Sequence, residues 1–559
     1  MFSRINLKRL IVALSILGVL LLWALSFAPH IQDDDTIYIT LAKSLVEQGR
    51  LAAPQVVGQP PLTYQPLLSI MISPILRWFP SFPGNLIPLT AGSSLLFGLI
   101  SLALFYWLLR SESLLTETQR WLVWLLAATS FVLIPYVVQY VMTETLYMMI
   151  SLTAILLLMR YERAGSAVAW SGLLTGVALG LSYYARAVGA TLIVASMLYL
   201  LLARRNVRKT AVTALVVALT VAPWWYRNAQ LGAEPLGGRY TNLLWRKSYW
   251  LPVSETISGP LELVSRVLSN TWAHISDSMP SLFVPWLTHP TLTARLTAAG
   301  LTWILPLAGV IIALVILIGF VYSWRRRFTV LHLYLPLYVA LILLPPWVTI
   351  RNWVPVIPFL YLWFALGLVA VSRWLAGRFE ARSFQRPTWV AAVLVILLLS
   401  NLIRDVGHVR RGQEFRQYGV PWPIEERVLA EASAWIVDNT RPEDLVLHIQ
   451  PQLLYLYTGR QTTELLASND PVQMSTLDPQ AVVADVYQEF DYVVRFSHKD
   501  LIPGLAEELA RHPANFELVY DNDAEPRIQV YRVRKPRAAI DASSSLVSQA
   551  QLASGPMYR

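Results

Sequence analysis

Residues 10–28 read LIVALSILGVLLLWALSFA, and five residues later the chain runs Asp33-Asp34-Asp35-Thr36-Ile37-Tyr38. The apolar run approaches the roughly 20 residues that span a bilayer as a helix. Arg4, Lys8 and Arg9 precede it, and Ser26-Phe27-Ala28 could serve as a signal-peptide cleavage site. Its length favours an uncleaved first span, since cleavage would leave the aspartates without an anchor. The triplet then stands at a membrane–water boundary. Carboxylates near lipid are costly, so they mark a functional hypothesis wherever they occur.

Working outward, the whole chain has the same character. Of its 559 residues 55% are hydrophobic and 14% charged, and the mean hydropathy is +0.47. Soluble domains carry about 25% charged residues, so the chain is read as an integral membrane protein. The 21 Trp and 25 Tyr suit interfacial belts. The net charge of +10 comes from arginines placed between apolar runs. That is a topological pattern and argues against nucleic acid as a partner. With no cysteine, disulfides and thiol chemistry are excluded.

Further spans are read at about 86–109, 121–138, 143–159, 168–184, 187–203, 210–226, 301–322, 329–347, 353–372 and 388–404, about eleven with the first. The pairs meeting near Gln139–Thr143 and Tyr184–Ala187 are the hardest to divide. Arg110, Arg120, Arg160, Arg163, Arg204, Arg205, Arg208, Lys209, Arg325, Arg326, Arg327, Arg373, Arg378, Arg382 and Arg386 fall in one set of connections. The positive-inside rule makes that side cytoplasmic. The connections 29–85 and 227–300 and everything after about 405 then lie outside, with the turns carrying Glu144, Arg186 and Arg351. Gly172-x3-Gly176-x3-Gly180 puts small residues on one helix face for close packing.

Residues 405–535 change character. Glu425 to Asn439 has helical spacing. Leu445–Ile449, Tyr492–Val494, Phe516–Tyr520 and Ile528–Val533 read as strands. The expected organisation is a membrane domain over 1–404, a small extracytoplasmic α/β domain over 405–535 and a disordered tail over 536–559.

Several short motifs lie on the outer side. They are Asp34-Asp35-x-x-Tyr38; Gln59-Pro60-Pro61-Leu62-Thr63-Tyr64-Gln65-Pro66-Leu67-Leu68; Thr143-Glu144-Thr145-Leu146-Tyr147; Tyr184-Ala185-Arg186-Ala187; and Arg351-Asn352-Trp353-Val354-Pro355-Val356-Ile357-Pro358. In order, spacing and side they resemble a GT-C superfamily glycosyltransferase. The bacterial branch similar to protein O-mannosyltransferases and the aminoarabinose transferase of lipid A is the nearest likeness. It covers roughly 1–535. The departure is Ala187, where the resembled turn has proline.

The resemblance implies a polytopic helical fold and transfer of a sugar from a polyprenyl-phosphate donor to a hydroxyl of a lipid, glycan or protein. The acceptor must lose a proton as the C–O bond forms, and a nearby carboxylate can take it. The leaving phosphate gathers negative charge, which arginine forks hold well. A carboxylate acting from the face opposite the phosphate inverts the anomeric centre. The resemblance makes Asp34 the base, through its register with Tyr38, with Asp35 second and Glu144 a further catalytic acid. Asp33, Tyr38, Tyr64, Arg186 and Arg351 are the substrate-binding candidates.

Taken as residues alone, these positions admit other readings. The triplet could be a solvated loop, the cap of the following helix, or a divalent-cation site with Asp33 and Asp35 as oxygen ligands. Glu144 could be a helix-start acid favoured by the dipole. Arg186 and Arg351 could simply pair with Glu144 or the aspartates. His30 reads as an interfacial side chain, His448 as part of a strand, and Pro60-Pro61 as a loop former. No P-loop, Gly-x-Gly-x-x-Gly, His-Glu-x-x-His or Gly-x-Ser-x-Gly is present. The alternatives to a transferase are a secondary transporter or flippase of lipid-linked sugars, and a structural or assembly protein. Transporters carry broken midplane helices and repeats, whereas the acids here sit at one surface.

Overall fold

The computed structural model describes residues 7–31, 33–62, 64–163, 169–231, 245–247, 256–379, 388–418, 424–463, 486, 488–496, 505–523 and 525–534. Among the described residues, six helices are long and apolar enough to cross a membrane: Leu86–Arg110, Thr143–Arg163, Val207–Gln230, Ile304–Arg326, Ile350–Arg378 and Thr388–Tyr418. Shorter apolar helices include Leu7–Ser26, Leu67–Trp78, Gly189–Ala203 and Leu331–Leu343. The protein is a multi-pass membrane protein.

Lipid tails are as apolar as leucine, so helices in a bilayer associate through close packing rather than hydrophobic exclusion. Glycine supplies that closeness here. A β-carbon at Gly319 would lie 1.8 Å from the carbonyl oxygen of Trp363, and one at Gly367 2.0 Å from that of Val315. Helices Ile304–Arg326 and Ile357–Phe379 therefore touch backbone to backbone. The expected small-residue face of helix Ala169–Ala185 does the same more gently, with Gly176 against Val216 and Gly180 against Thr220.

Two sequence expectations change. The span read at 121–138 is two helices, Glu117–Ala128 and Leu133–Val138. Thr116 and Gln119 form a capping box at the start of the first. The chain turns at Ser130, whose N–H bonds the Ala127 carbonyl. Asn401 Oδ1 on helix Thr388–Tyr418 then accepts the Phe131 N–H at 3.0 Å, so the break has a tertiary partner. Second, the connection 29–85 contains two packed helices, Asp33–Gln48 and Leu67–Trp78. Asp33–Gln48 buries Asp35, Thr36, Thr40 and Ser44 together with Ile37, Ile39 and Leu41. Ser69 Oγ donates to the Tyr38 carbonyl at 3.0 Å and locks the pair.

Helix Thr388–Tyr418 has 31 residues, about 46 Å at 1.5 Å per residue. That exceeds a hydrocarbon core of roughly 30 Å, so the helix runs straight through the expected boundary at 404 and emerges. Beyond it, four strands pair in the order β1 (Val446–Leu447), β2 (Tyr492–Phe496), β4 (Ile528–Val533), β3 (Phe516–Asp521). β1 and β2 are parallel; the other pairings are antiparallel, with an irregularity between Leu518 and Tyr520. Helix Ile424–Asn439 packs against β4, and Pro451–Thr458 packs on that helix and on Asp33–Gln48. His448 is buried and accepts the Gln450 N–H at Nδ1, 3.0 Å away. Residues 536–559 lie outside the described residues.

This C-terminal unit grips the acidic connection. Thr462 exchanges backbone hydrogen bonds with Gln55 and Val57, at 2.8 and 3.0 Å, and Gln461 Nε2 donates to the Pro54 carbonyl at 2.9 Å. His30 Nδ1 lies 2.8 Å from Glu426 Oε1. Arg227, at the end of helix Val207–Gln230, donates to the carbonyls of Leu51 and Leu62, both at 3.1 Å. The loop containing Pro60-Pro61 is thus tied from two sides.

Candidate active site

Four chain segments meet at one end of the bundle. Asp34 stands in the first turn of Asp33–Gln48, and Glu144 in the first turn of Thr143–Arg163. Carboxylates are favoured at helix N-termini by the backbone dipole. Arg186 occupies the turn between Ala169–Ala185 and Gly189–Ala203. That turn closes without the proline of the resembled motif. A β-carbon at Gly189 would fall 2.4 Å from the Ser182 carbonyl, so only glycine admits this approach. Arg351 belongs to a 3-10 turn, Ile350–Val356, leading into helix Ile357–Phe379.

The side chains form one chain of ion pairs. Arg186 Nη1 and Arg351 Nε both contact Glu144 Oε1, and Arg351 Nη1 contacts Asp34 Oδ2. Arg186 also donates to Thr143 Oγ1 at 3.3 Å. Glu144 is completely buried, whereas the Asp34 side chain is 42% exposed. Glu144 Oε2 is buried without a hydrogen-bond partner among the described residues. The deep trio of one acid and two arginines carries a formal charge of +1. An isolated charge in a dry site is expensive, so the trio favours an anion, and Asp34 supplies one from the solvent side.

The other sequence candidates divide. Asp35 is buried and turns aside, its Oδ2 accepting the Val141 N–H at 3.2 Å. The Asp33 side chain lies outside the described residues. Tyr38 is buried one helical turn after Asp34, near enough to bear electrostatically on both arginines. Tyr64 packs against the apolar cluster of Ile37, Leu41, Ala53, Val56 and Leu62. Among the described residues, no three His, Cys, Asp or Glu side chains gather as a metal-binding group.

Sequence reasoning missed the layer beneath the acids. Tyr147 and Tyr334 share a hydroxyl–hydroxyl hydrogen bond of 3.0 Å, and Tyr338 stacks on Tyr147. All three are fully buried. The Tyr338 hydroxyl donates to the Asn352 carbonyl at 2.5 Å, next to Arg351. A signal existed. Tyr147 follows Glu144 by three residues, and Tyr334 and Tyr338 are four apart, so each pair shares a helix face. Nothing in the local sequence says that these faces meet.

Fold and site together define a multi-pass membrane protein with acids and arginines gathered at one end of its helices. No protein-family model matches the chain, and no curated protein matches its sequence. Solved structures do. One is similar over 93% of this chain and 97% of its own, at 13% identity and a TM-score of 0.55: ArnT from Cupriavidus metallidurans bound to undecaprenyl phosphate. Another is the archaeal oligosaccharyltransferase AglB from Archaeoglobus fulgidus, in complex with an inhibitory peptide and a dolichol-phosphate. It is similar over 95% of this chain and 75% of its own, at 12% identity and a TM-score of 0.54. At such identities the likeness is one of fold.

Proposed function

We propose that the protein is an integral membrane glycosyltransferase. It transfers a sugar from a polyprenyl-phosphate donor to a hydroxyl of a lipid, glycan or protein acceptor, on the extracytoplasmic face of the plasma (inner) membrane. The observation that carries this reading is Arg351 held between buried Glu144 and partly exposed Asp34. It stands on a fold shared with a protein bound to undecaprenyl phosphate.

The chemistry follows from the charges. The phosphate of the donor competes with Asp34 for Arg351, and Arg186 offers a second fork. As the guanidinium shifts to the phosphate, the Asp34 carboxylate is released to accept the acceptor's proton. The acceptor oxygen bonds to the anomeric carbon, the bond from that carbon to the phosphate oxygen breaks, and the arginines take up the leaving charge. Attack opposite the phosphate inverts the centre. Glu144 anchors both arginines. The C-terminal α/β unit guides the acceptor, and the chain crosses the membrane about eleven times with its N-terminus inside.

The test uses purified protein in nanodiscs and cells with and without it. Undecaprenyl phosphate should bind, Arg351→Lys should weaken that binding, and cells should lose one envelope glycan or glycolipid with Asp34→Asn. Movement of lipid-linked sugar across proteoliposomes, with no new glycosidic bond, would establish the transporter instead.

A further inference from the structure

The long connection before helix Ile304–Arg326 contains an element that the site chemistry leaves unused. Helix Pro260–Ala273 passes into a π-turn, His274–Ser278, and continues as Met279–Phe283. Single π-turns inside α-helices are rare and recur at functional positions. This one is wedged in place: a β-carbon at Gly309 would lie 1.8 Å from the Ile275 carbonyl oxygen.

The π-turn aims His274 inward, where it is 3% exposed. Its Nδ1 lies 3.0 Å from the indole Nε1 of Trp353, with the rings edge to face at 5.3 Å. An indole N–H only donates, so Nδ1 is an acceptor and the ring is a neutral Nε2–H tautomer. Ser278 Oγ is also 3.0 Å from Nδ1. Burial pushes the imidazole down to about 4, which keeps that acceptor neutral at ordinary pH. A protonated ring would set N–H against N–H.

Trp353 stands two residues after Arg351, and three successive residues of this turn are held from three directions. Thr349 Oγ1 accepts the Arg351 N–H at 3.3 Å, Tyr338 donates to the Asn352 carbonyl, and His274 accepts from Trp353. Arginine has many rotamers, and a fork must be preorganised to hold two carboxylates and then a phosphate. We propose that His274 is a positioning residue for Arg351: as a neutral acceptor on Trp353, it fixes the turn that holds the guanidinium between Glu144 and Asp34. Its consequence for the donor rests on the function proposed above.

Hydrogen exchange on the full-length protein in nanodiscs tests the positioning itself. His274→Phe keeps a ring and removes the acceptor, so amide exchange over 349–356 should rise about tenfold, the equivalent of one lost hydrogen bond. His274→Gln restores an acceptor oxygen and should return exchange toward the original rate. Trp353→Phe breaks the same bond from the other side and serves if His274→Phe does not fold. Unchanged exchange over 349–356 in both Phe variants would overturn the inference.

Undecaprenyl phosphate is the probe for the consequence. His274→Phe should weaken its binding roughly 3- to 10-fold, and should add nothing in an Arg351→Lys background. Purely additive losses would mean that His274 acts on overall stability and not through Arg351, which also overturns the inference. Should exchange rise while neither His274→Phe nor Arg351→Lys alters binding, the positioning stands and the polyprenyl-phosphate reading falls.

Discussion

Helix Thr143–Arg163 carries an acid near each end, and the two ends are built differently. At one end Glu162 pairs with Arg204 through Oε1 and accepts the Tyr199 hydroxyl at Oε2, 2.6 Å away. Arg204 bonds the same hydroxyl, and Lys209 Nζ caps the carbonyls of Tyr161 and Glu162 at 2.7 and 3.1 Å. The Arg204 side chain is 43% exposed. At the other end both guanidinia crowd onto one oxygen of Glu144, and the second oxygen is buried without a partner among the described residues. A satisfied, partly wet cluster ends a helix and stabilises it by little. A buried, incompletely satisfied one has capacity left for a ligand.

The sharpest way to break this contrast is Asp34→Asn, which preserves size and removes proton acceptance. Turnover should fall about 10²–10⁴-fold with undecaprenyl phosphate still bound. Asp35→Asn should fall between that and Asp33→Asn. Near-normal turnover in Asp34→Asn, with none in Glu144→Gln, would move the base to Glu144.

Glu144→Gln comes next. It leaves Arg186 without its counter-charge and Arg351 with Asp34 alone, a defect on the order of 3–5 kcal/mol, read as a lower unfolding temperature in detergent. An unchanged midpoint would mean that the arginines have other partners. Arg186→Lys and Arg351→Lys keep the charge and lose the fork, so undecaprenyl phosphate should bind roughly tenfold more weakly. Full affinity in both would leave only the ion pairs.

Smaller effects extend the comparison. Burial lowers His448 to about 4, below the ordinary value near 6.5. The folded state therefore binds fewer protons than the unfolded one. Its stability contribution is complete above about pH 6.5 and is lost as pH falls toward 4. Between pH 7 and 5 the C-terminal sheet should weaken on the order of 1–2 kcal/mol. Hydrogen exchange in β1 and β2 would show this, and His448→Gln should flatten the dependence. Smallest of all is Glu162→Gln, expected to cost no more than about 1 kcal/mol with transfer unchanged. A loss of transfer matching Glu144→Gln would erase the distinction between the two ends. Topology reporters placed after residues 205, 326 and 418 should read inside, inside and outside.

Much was legible in one dimension. Runs of apolar residues mark spans because transfer of a helix into lipid depends on local composition, and arginine placement orders the connections. Asp34, Glu144, Arg186 and Arg351 stood out because each is an ionisable group at the edge of an apolar run, where it needs a reason. Hydropathy could not show that the span at 121–138 is broken, because the Phe131 N–H freed there is bonded by Asn401, 270 residues away. Nor could it decide between a loop and a helix after Asp33, whose polar residues are buried only by packing: Asp35 accepts the Val141 N–H, and Leu67–Trp78 and Pro451–Thr458 lie against the helix.

By itself, then, the sequence determined a membrane-spanning helical chain with acids and arginines gathered at one set of helix ends. Only the tertiary structure decided which arginine meets which acid and that both arginines meet the same oxygen of Glu144. It alone brought the Tyr338 hydroxyl and the His274 ring to the Arg351 turn. Span formation is a property of neighbours along the chain. Ion pairing at the site depends on residues 42 to 317 positions apart, and packing alone brings those within reach.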